Sequence, residues 1–270
     1  VIVTLHNVST TTLAPIGAIA GHTVPQFLFE YINSEKIDDL FKLQEQENPQ
    51  TYSESVVTGQ TIERADEYKR LIRSAFAAKK SVLFVAPTIR ALEQWKQSLE
   101  KGIQKHVVII HSKTTKRDLR SSFATIKSND RPLLIFITPS FLFTPRHDIG
   151  HVIVEDESSS LYKTTDRYAI DLRILLQTFC ATAQLHLTWG DTLPRFETLE
   201  RLHATHLPRT YIPDKLHIIE IEHYRTILPR EVIELILHAQ KKKRRIYIYT
   251  NRKGIAPLSR CADCYTIVAC

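Results

Sequence analysis

Through the middle of the chain, short runs of apolar residues alternate with longer segments in which apolar and polar residues recur at helical spacing. The five clearest apolar runs are Val82 to Ala86, Val107 to Ile110, Leu133 to Thr138, Val152 to Val154 and Leu185 to Thr188. The amphipathic segments between them are Arg90 to Lys101, Lys116 to Lys127 and Ile170 to Thr182. Strands that are apolar on both faces are typical of a parallel sheet covered by helices. The pattern therefore predicts an α/β fold with a parallel sheet.

The same pattern divides the chain into segments. Two prolines, Pro208 and Pro213, interrupt it and precede a second α/β unit. That unit has a predicted strand at Leu216 to Ile221, a helix at Pro229 to Lys241 and a strand at Ile246 to Thr250. The expected segments are 1–33, the end of a preceding N-terminal region; 34–56, a polar linker; 57–206, the first lobe; 207–260, the start of a second lobe; and 261–270, the start of a cysteine-containing insertion.

Composition narrows the functional classes. The 36 Lys and Arg residues outnumber the 29 Asp and Glu residues, giving a formal charge of +7 and a pI near 9.2, which suits a polyanionic partner. No apolar run approaches the roughly 20 residues of a membrane span, so we expect no membrane association. The four cysteines do not form a disulfide pattern, which favours a cytoplasmic location. Because the chain lacks Met and stops at Cys270, we expect it to be truncated at both ends.

An acidic sequence follows the fourth apolar run. Glu155, Asp156 and Glu157 come directly after Val152 to Val154. In nucleotide-driven motors an apolar strand delivers one carboxylate to a magnesium shell and a second carboxylate to the attacking water. Glu155 and Asp156 are therefore candidate catalytic residues. A solvated acidic turn is the alternative interpretation.

The partner of such an acidic strand is a glycine-rich loop that contains Lys and Ser or Thr and holds the phosphates. The corresponding segment here, Val56 to Arg64, lies before a predicted helix at Ala65 to Ala78 and contains one glycine and no lysine. Thr58 and Gly59 are the candidate remnants of a phosphate loop. Glu63 places an anion where a phosphate would bind, so binding of ATP and Mg²⁺ is doubtful.

Three cysteines cluster near the end of the chain. Cys261, Cys264 and Cys270 include a Cys-x2-Cys pair, and this spacing favours a zinc site over a redox or coincidental pair. Cys180 lies in an apolar context and is interpreted as a core residue.

Two further segments combine charge with aromatic or helical patterns. Tyr162, Lys163, Arg167 and Tyr168 interleave aromatic and basic side chains, which suits stacking on exposed bases, although tyrosines packed on a helix would give the same pattern. The basic run from Lys241 to Arg245 indicates a solvated helix end in preference to a phosphate-binding patch.

Several of these segments resemble the family of primosomal protein N′, or PriA. The most specific is Tyr249 to Cys270, which reads Tyr-Thr-Asn-Arg-Lys-Gly-Ile-Ala-Pro and leads into the three cysteines. The others, in the family's order, are Leu13 to Gly17, Val85 to Thr88, Ile110 to Ser112, Thr138 to Pro145, and the acidic strand with Tyr162-Lys163 and Arg167-Tyr168. The resemblance covers nearly the whole chain.

The resemblance implies two RecA-like lobes after a DNA-binding N-terminal region, a zinc-binding insertion in the second lobe, and ATP-driven 3′ to 5′ unwinding at forks. It places Tyr162, Arg167 and Tyr168 in a loop that links DNA contact to ATP turnover. With Lys163, Arg252 and Lys253, these are the candidate DNA contacts. It implies that Cys261, Cys264 and Cys270 serve two zinc ions. The implied partners are forked or single-stranded DNA, and the candidate protein partners are single-strand-binding protein and other primosome proteins.

The departures from the family pattern concern the nucleotide. The phosphate loop has lost its lysine, the acidic motif Asp-Glu-Glu-His reads Glu155-Asp156-Glu157-Ser158, and Gly-Ser-Ala-Thr-Pro is reduced to Gly190-Asp-Thr-Leu-Pro194. We therefore expect a PriA-like protein that binds DNA with weak or no ATPase and helicase activity. Two alternatives stay open: an active helicase in which Arg64 or Lys69 reaches the phosphates, and a zinc-containing scaffold for replication proteins that does not touch DNA.

Overall fold

The structure, a computed structural model, describes residues 2–24, 51–128, 130–144, 146–204, 228–248, 259–260, 264 and 267–268. The chain divides into two compact units, Val1–Tyr211 and Ile212–Cys270. The predicted strand at 216–221 and the candidate residues Arg252, Lys253, Cys261 and Cys270 lie outside the described residues. Within the described ranges, no helix is long and apolar enough to cross a membrane.

The first unit is built on one six-stranded sheet. Its strands are β1 (Ser53–Thr58), β2 (Ser81–Val85), β3 (Val107–Ile110), β4 (Leu134–Ile137), β5 (Ile149–Glu155) and β6 (His186–Asp191). Their order across the sheet is β1-β6-β5-β2-β4-β3, and every neighbouring pair is parallel. This arrangement confirms the predicted α/β fold with a parallel sheet, and all five predicted strands of the first lobe are present.

Helices cover both faces of this sheet. They are α1 (Ile2–Thr12), α2 (Ile16–Thr23), α3 (Thr61–Ala77), α4 (Ile89–Leu99), α5 (Lys116–Ser128), α6 (Leu172–Thr182) and α7 (Phe196–Arg201), with 3-10 turns at Gln104–His106, Pro139–Phe141 and Ser160–Tyr162. Tyr68 of α3 and Trp95 of α4 pack with Phe84 and Phe136 on one face. Residues of α1, α2, α5 and α6 form the larger core on the other face. Both faces of the sheet are therefore largely removed from water, as its apolar strands require.

Strand β1 was not predicted, because its sequence Ser-Glu-Ser is polar and was assigned to the linker over residues 34–56. The strand pairs with β6 at the edge of the sheet. Its Glu54 carboxylate accepts hydrogen bonds from Trp189 Nε1 at 2.9 Å, Gln177 Nε2 at 2.8 Å and Arg201 Nη2 at 2.7 Å, and from the Tyr52 hydroxyl. The edge strand is thus held in place by a charged side chain, whereas a central strand would be held by apolar side chains.

Residues 2–23 form a helical hairpin that was not predicted as helices from the sequence. Val8 of α1 and Ile19 of α2 are fully buried in the larger core, and α1 packs against α6. His22 Nε2 lies 3.2 Å from Asp166 Oδ2. This hairpin is therefore part of the first compact unit.

The described part of the second unit contains helix α8 (Arg230–Lys241), which the sequence predicted, and a short antiparallel pair, β7 (Ser259–Arg260) with β8 (Ile267–Val268). The strand predicted at 246–250 is not found at residues 246–248, which pair with no strand among the described residues. The apolar character of Ile246-Tyr247-Ile248 instead contributes to a pocket with Leu235 and Ile236 of α8.

Candidate functional site

The carboxyl ends of β1, β5 and β6 bring the nucleotide-linked motifs together. Thr58 at the end of β1 is paired with Asp191 of β6, and Glu155 at the end of β5 is paired with Gly190 of β6. Strand β6 therefore lies between the phosphate-loop segment and the acidic strand. Any interaction between these two motifs has to cross β6.

In the phosphate-loop segment, the Glu63 side chain folds back onto the backbone of the same segment. Gly59 has a φ of 118°, a conformation that glycine adopts without strain, and α3 begins two residues later. The Glu63 carboxylate accepts a hydrogen bond from the Gln60 backbone N–H at 2.8 Å, and a Cβ on Gly59 would collide with this carboxylate. A helix N-terminus favours an anion, and here the anion is Glu63.

Arg64 connects the two motifs across β6. Its side chain is 4% exposed, and Nη2 and Nε donate to Glu155 Oε1 at 2.5 and 3.1 Å. Nη1 donates to the Gly59 carbonyl at 2.5 Å and to Thr192 Oγ1 at 2.7 Å. The guanidinium thus bridges the phosphate-loop segment, the acidic strand and the residue that follows β6.

Tyr68 engages the second oxygen of the same carboxylate. Its hydroxyl donates to Glu155 Oε2, and both residues are fully buried. Burial, followed by the adjacent Glu155 carboxylate, raises the pKa of Tyr68 well above its ordinary value, so the hydroxyl keeps its proton. Burial also raises the pKa of Glu155, although the hydrogen bonds and charge of Arg64 act in the opposite direction. Both carboxylate oxygens of Glu155 are occupied by side chains of α3.

Gly190 leaves the space in which these groups meet. A Cβ on this residue would overlap the Tyr68 hydroxyl and lie 2.7 Å from Glu155 Oε2. No side chain larger than hydrogen fits at this position without displacing the network. We call the buried residues Arg64, Tyr68, Glu155, Gly59 and Gly190, together with the exposed Thr192 that Arg64 contacts, the buried lock.

Asp156, the second candidate catalytic residue, differs from Glu155. It has a φ of 53°, a left-handed conformation that Asp tolerates better than most residues, and its side chain makes no hydrogen bond within the described part of the chain. Burial, and then the neighbouring carboxylate of Asp191, raise the pKa of Asp156. The structure therefore places both predicted acids at the carboxyl end of β5 and joins only Glu155 to the phosphate-loop segment.

Glu157 has a structural role that the sequence analysis did not assign. It is fully buried and accepts hydrogen bonds from the Arg195 backbone N–H at 2.8 Å, Arg195 Nε at 2.7 Å and Thr198 Oγ1 at 2.8 Å. Its backbone carbonyl accepts from Arg173 Nη1 at 2.7 Å. Arg173 in turn pairs with Asp171, its Nε lying 2.7 Å from Asp171 Oδ1. Both oxygens of this carboxylate are hydrogen-bonded to residues at the start of α7.

The predicted base-stacking residues differ in their exposure to solvent. Tyr162 is fully buried, and its hydroxyl donates to the Glu155 carbonyl at 2.7 Å. Its assignment as a DNA contact is therefore corrected: it is a core residue, because the 3-10 turn after β5 directs the ring inward. Lys163 and Arg167 are exposed, and Tyr168 is half-buried beneath the Arg167 guanidinium, which lies 4.6 Å from the ring centroid.

These exposed residues lie on the loop from Lys163 to Asp171, which we call the 163–171 loop. The backbones of Lys163 and Asp171, at the two ends of the loop, form an antiparallel β-bridge. The Thr164 hydroxyl accepts a hydrogen bond from the Ile170 backbone N–H at 2.8 Å. The loop is thus closed on itself, and its outer surface carries Lys163 and Arg167.

The predicted zinc ligands are only partly described. Cys264 is exposed and lies between β7 and β8. Among the described residues, no group of three or more His, Cys, Asp or Glu side chains is arranged to hold a metal ion. Zinc binding by Cys261, Cys264 and Cys270 stays a prediction. Cys180 is fully buried, as expected of a core residue.

The roles of Tyr68 and Gly190 are not evident from the sequence, and Arg64 was predicted only as a substitute phosphate ligand. One signal was available. Arg64, Ala65, Tyr68 and Ile72 form the buried stripe of α3, and a charged residue in such a stripe indicates a buried partner of opposite charge. No pattern in the sequence identifies that partner as Glu155.

Comparison with known proteins identifies relatives that are named replication restart protein PriA. The chain is 24% identical over 251 residues to replication restart protein PriA of Helicobacter pylori strain 26695, covering 89% of this chain and 40% of that protein. It is 20% identical over 217 residues to PriA of Haemophilus influenzae, covering 77% of this chain and 30% of that protein. The chain therefore spans two fifths or less of the length of these two relatives. No protein-family model matches it.

Solved structures with partial likeness include Mss116p DEAD-box helicase domain 2 bound to an RNA duplex, with a TM-score of 0.39, 14% identity and coverage of 51% of this chain and 53% of that one. Another is the C-terminal domain of a possible DNA helicase from Lactobacillus, with a TM-score of 0.32, 15% identity and coverage of 64% and 89%. The likeness to the PriA relatives extends over most of the sequence and confirms the predicted resemblance. The chain is thus similar to replication restart protein PriA over most of its length, at 20–24% identity.

Proposed function

We propose that this protein acts in replication restart by binding branched DNA, and that its first lobe does not turn over ATP. The PriA relatives support the first part, and the buried lock supports the second. The observation that carries the second part is the Arg64 to Glu155 ion pair, which occupies the groups that a nucleotide and its metal ion would need.

Phosphoryl transfer depends on charges positioned around the phosphates. A lysine and a metal ion neutralise the developing charge, and loss of one such contact typically costs a few kcal/mol of transition-state stabilisation. Here the carboxylate at the end of β5 is neutralised by Arg64, and the N-terminus of α3 is capped by Glu63. The Glu155 carboxylate, which would bind Mg²⁺, and the N-terminus of α3, which would bind phosphate, therefore both interact with other groups of the protein.

The active-helicase alternative requires Arg64 or Lys69 to reach the phosphates. Arg64 makes four hydrogen bonds within the lock, and Lys69 Nζ lies 3.0 Å from Asp66 Oδ1 on the outer surface of α3. Freeing Arg64 would leave Glu155 buried without its cation, which is strongly unfavourable. The contacts therefore favour the proposal over this alternative.

The test is ATP hydrolysis by the full-length protein with and without a DNA fork. We expect no hydrolysis above background. We also expect that added Mg·ATP does not change the urea midpoint of unfolding, which is measured by tryptophan fluorescence. A nucleotide bound at 100 times its Kd would stabilise the fold by about 2.7 kcal/mol. DNA-stimulated hydrolysis would refute the proposal, and a stabilisation abolished by Arg64→Ala or Lys69→Ala would establish the alternative.

DNA binding is tested separately with a labelled fork over a range of salt concentrations. We expect binding that weakens as salt rises, because each neutralised phosphate releases counterions. If the full-length protein shows no salt-sensitive binding, the zinc-containing scaffold is the better description. Measurement of bound zinc, with Cys264→Ser as the variant, tests the predicted role of Cys261, Cys264 and Cys270. Single-strand-binding protein and other primosome proteins are the proposed protein partners.

A further inference from the structure

A second polar cluster lies on the sheet, away from the buried lock. Ser53 of β1, His186 of β6 and His151 of β5 are consecutive cross-strand partners and lie side by side on one face. His151 precedes Glu155 by four residues, which places it roughly 13 Å back along the strand. This cluster is therefore distinct from the candidate nucleotide site and independent of the proposed function.

Each imidazole is held at one nitrogen by a hydroxyl group. His186 Nδ1 is hydrogen-bonded to the Ser53 hydroxyl, and His151 Nε2 lies 2.7 Å from Thr188 Oγ1. Thr188 is also 2.8 Å from Ser55 Oγ, so the hydroxyls form a connected row. The other nitrogen of each ring, Nδ1 of His151 and Nε2 of His186, makes no hydrogen bond within the described part of the chain. Such an arrangement, with one nitrogen oriented and one left with a lone pair, is typical of metal-ligating histidines.

The spacing of the rings suits a shared ion. The two ring centroids are 5.9 Å apart, with an angle of 44° between the ring planes. With Zn–N distances of about 2.0–2.1 Å, two imidazoles bound to one ion have centroids about 5–6 Å apart. Ser53 and Ser55 are exposed and both histidines are half-buried, so an ion has access from solvent. A polar row that is exposed at Ser53 and Ser55 and buried at Thr188 is unusual on a parallel sheet, whose faces are normally apolar and covered.

We propose that His151 and His186 form a binding site for a late first-row divalent cation such as Zn²⁺. Imidazole nitrogen suits Zn²⁺, Cu²⁺ and Ni²⁺ in preference to Mg²⁺ or Ca²⁺. The two imidazoles supply two ligands, water completes the coordination, and the hydroxyls of Ser53 and Thr188 orient the rings. A bound ion would join β5 to β6, the strand that carries the edge strand β1.

The experiment uses the full chain with Cys261, Cys264 and Cys270 replaced by Ser, so that thiolates do not contribute, and measures Zn²⁺ binding by equilibrium dialysis at neutral pH. We expect one ion per chain. His151→Ala and His186→Ala should each weaken binding more than 100-fold. Ser53→Ala, which removes an orienting hydroxyl at an exposed position, should weaken it about 10-fold.

His147→Ala is the matched control, since His147 is exposed and lies four residues before His151. It should leave the affinity unchanged. His186→Gln keeps a group that can bond to Ser53, and its urea midpoint without metal shows whether loss of binding reflects loss of the fold. The proposal is overturned if the chain with the three serine replacements binds no Zn²⁺, or if folded His151 and His186 variants bind it as tightly as the His147 variant.

Discussion

The buried lock and the 163–171 loop both derive from motifs that the resemblance connects with nucleotide and DNA, and the structure treats them in opposite ways. In the lock, Arg64 and Glu155 are withdrawn from solvent and bond to each other. On the loop, Lys163 and Arg167 remain exposed. The charged groups of the lock belong to the core, whereas those of the loop are accessible to a polyanion.

Because of this difference, substitutions in the two regions should change different quantities. Changes in the lock should alter the free energy of unfolding, because burial makes each unpaired charge costly. Changes on the loop should alter DNA affinity with little effect on the fold, because exposed substitutions are usually within about 0.5 kcal/mol of neutral. Both tryptophans, Trp95 and Trp189, lie in the first unit, so their fluorescence reports its unfolding.

The largest effect should come from Arg64→Ala. It leaves the Glu155 carboxylate buried without its cation, and we expect a loss of about 3–5 kcal/mol in urea unfolding. The double variant Arg64→Met with Glu155→Leu replaces both charges by apolar groups of similar size and should recover most of that loss. If Arg64→Ala costs less than about 1 kcal/mol, the pair is not the buried ion pair described here.

A smaller effect should follow Gly190→Ala, since the added Cβ would overlap the Tyr68 hydroxyl. We expect destabilisation of about 1–3 kcal/mol. Tyr68→Phe removes the overlapping oxygen, so the two substitutions together should cost less than the sum of their separate effects. Gly17→Ala is the control: its Cβ would meet nothing within 4 Å on α2, and it should be neutral or slightly stabilising.

Glu54 of the edge strand β1 is a further carboxylate that is held by hydrogen bonds. Burial alone would raise its pKa, but the hydrogen bonds from Tyr52, Trp189 and Gln177 and the charge of Arg201 outweigh burial, and its pKa lies below the ordinary value. The folded state therefore favours the ionised form. This stability is present above the ordinary pKa of a glutamate and is lost as the pH falls through that value toward the lower folded pKa.

Urea midpoints measured from neutral to acidic pH test this expectation. Glu54→Gln should cost about 1–2 kcal/mol at neutral pH and flatten this part of the pH dependence. An unchanged acid limb in the variant would show that other carboxylates are responsible.

The smallest effect on stability should come from the 163–171 loop. Arg167→Ala and Lys163→Ala should each reduce the salt dependence of fork binding by about one phosphate contact and leave the urea midpoint unchanged. Thr165→Ala, at another exposed position of this loop, is the control and should alter neither quantity. Equal salt slopes for all three variants and the unchanged protein would place the DNA contact elsewhere.

The sequence predicted the parallel sheet because buried strands such as Leu134–Ile137 are apolar throughout, and that pattern depends on local composition alone. It did not predict β1, because an edge strand held by Glu54 has no apolar pattern. The candidate residues Thr58 and Glu155 lie at the ends of β1 and β5, with Gly59 and Asp156 directly after them, and their functional roles stay predictions. The lock itself depends on a contact between residues 91 positions apart, which no local pattern encodes.

The lock also restricts how the site can change. A chain that exchanges Arg64 alone, or Glu155 alone, passes through a state with one buried unpaired charge, at a cost of about 3–5 kcal/mol. That is a large share of the roughly 5–15 kcal/mol by which a domain is stable. A lysine introduced into the phosphate-loop segment would not free the carboxylate from Arg64. A nucleotide site at this position would therefore require several substitutions at once.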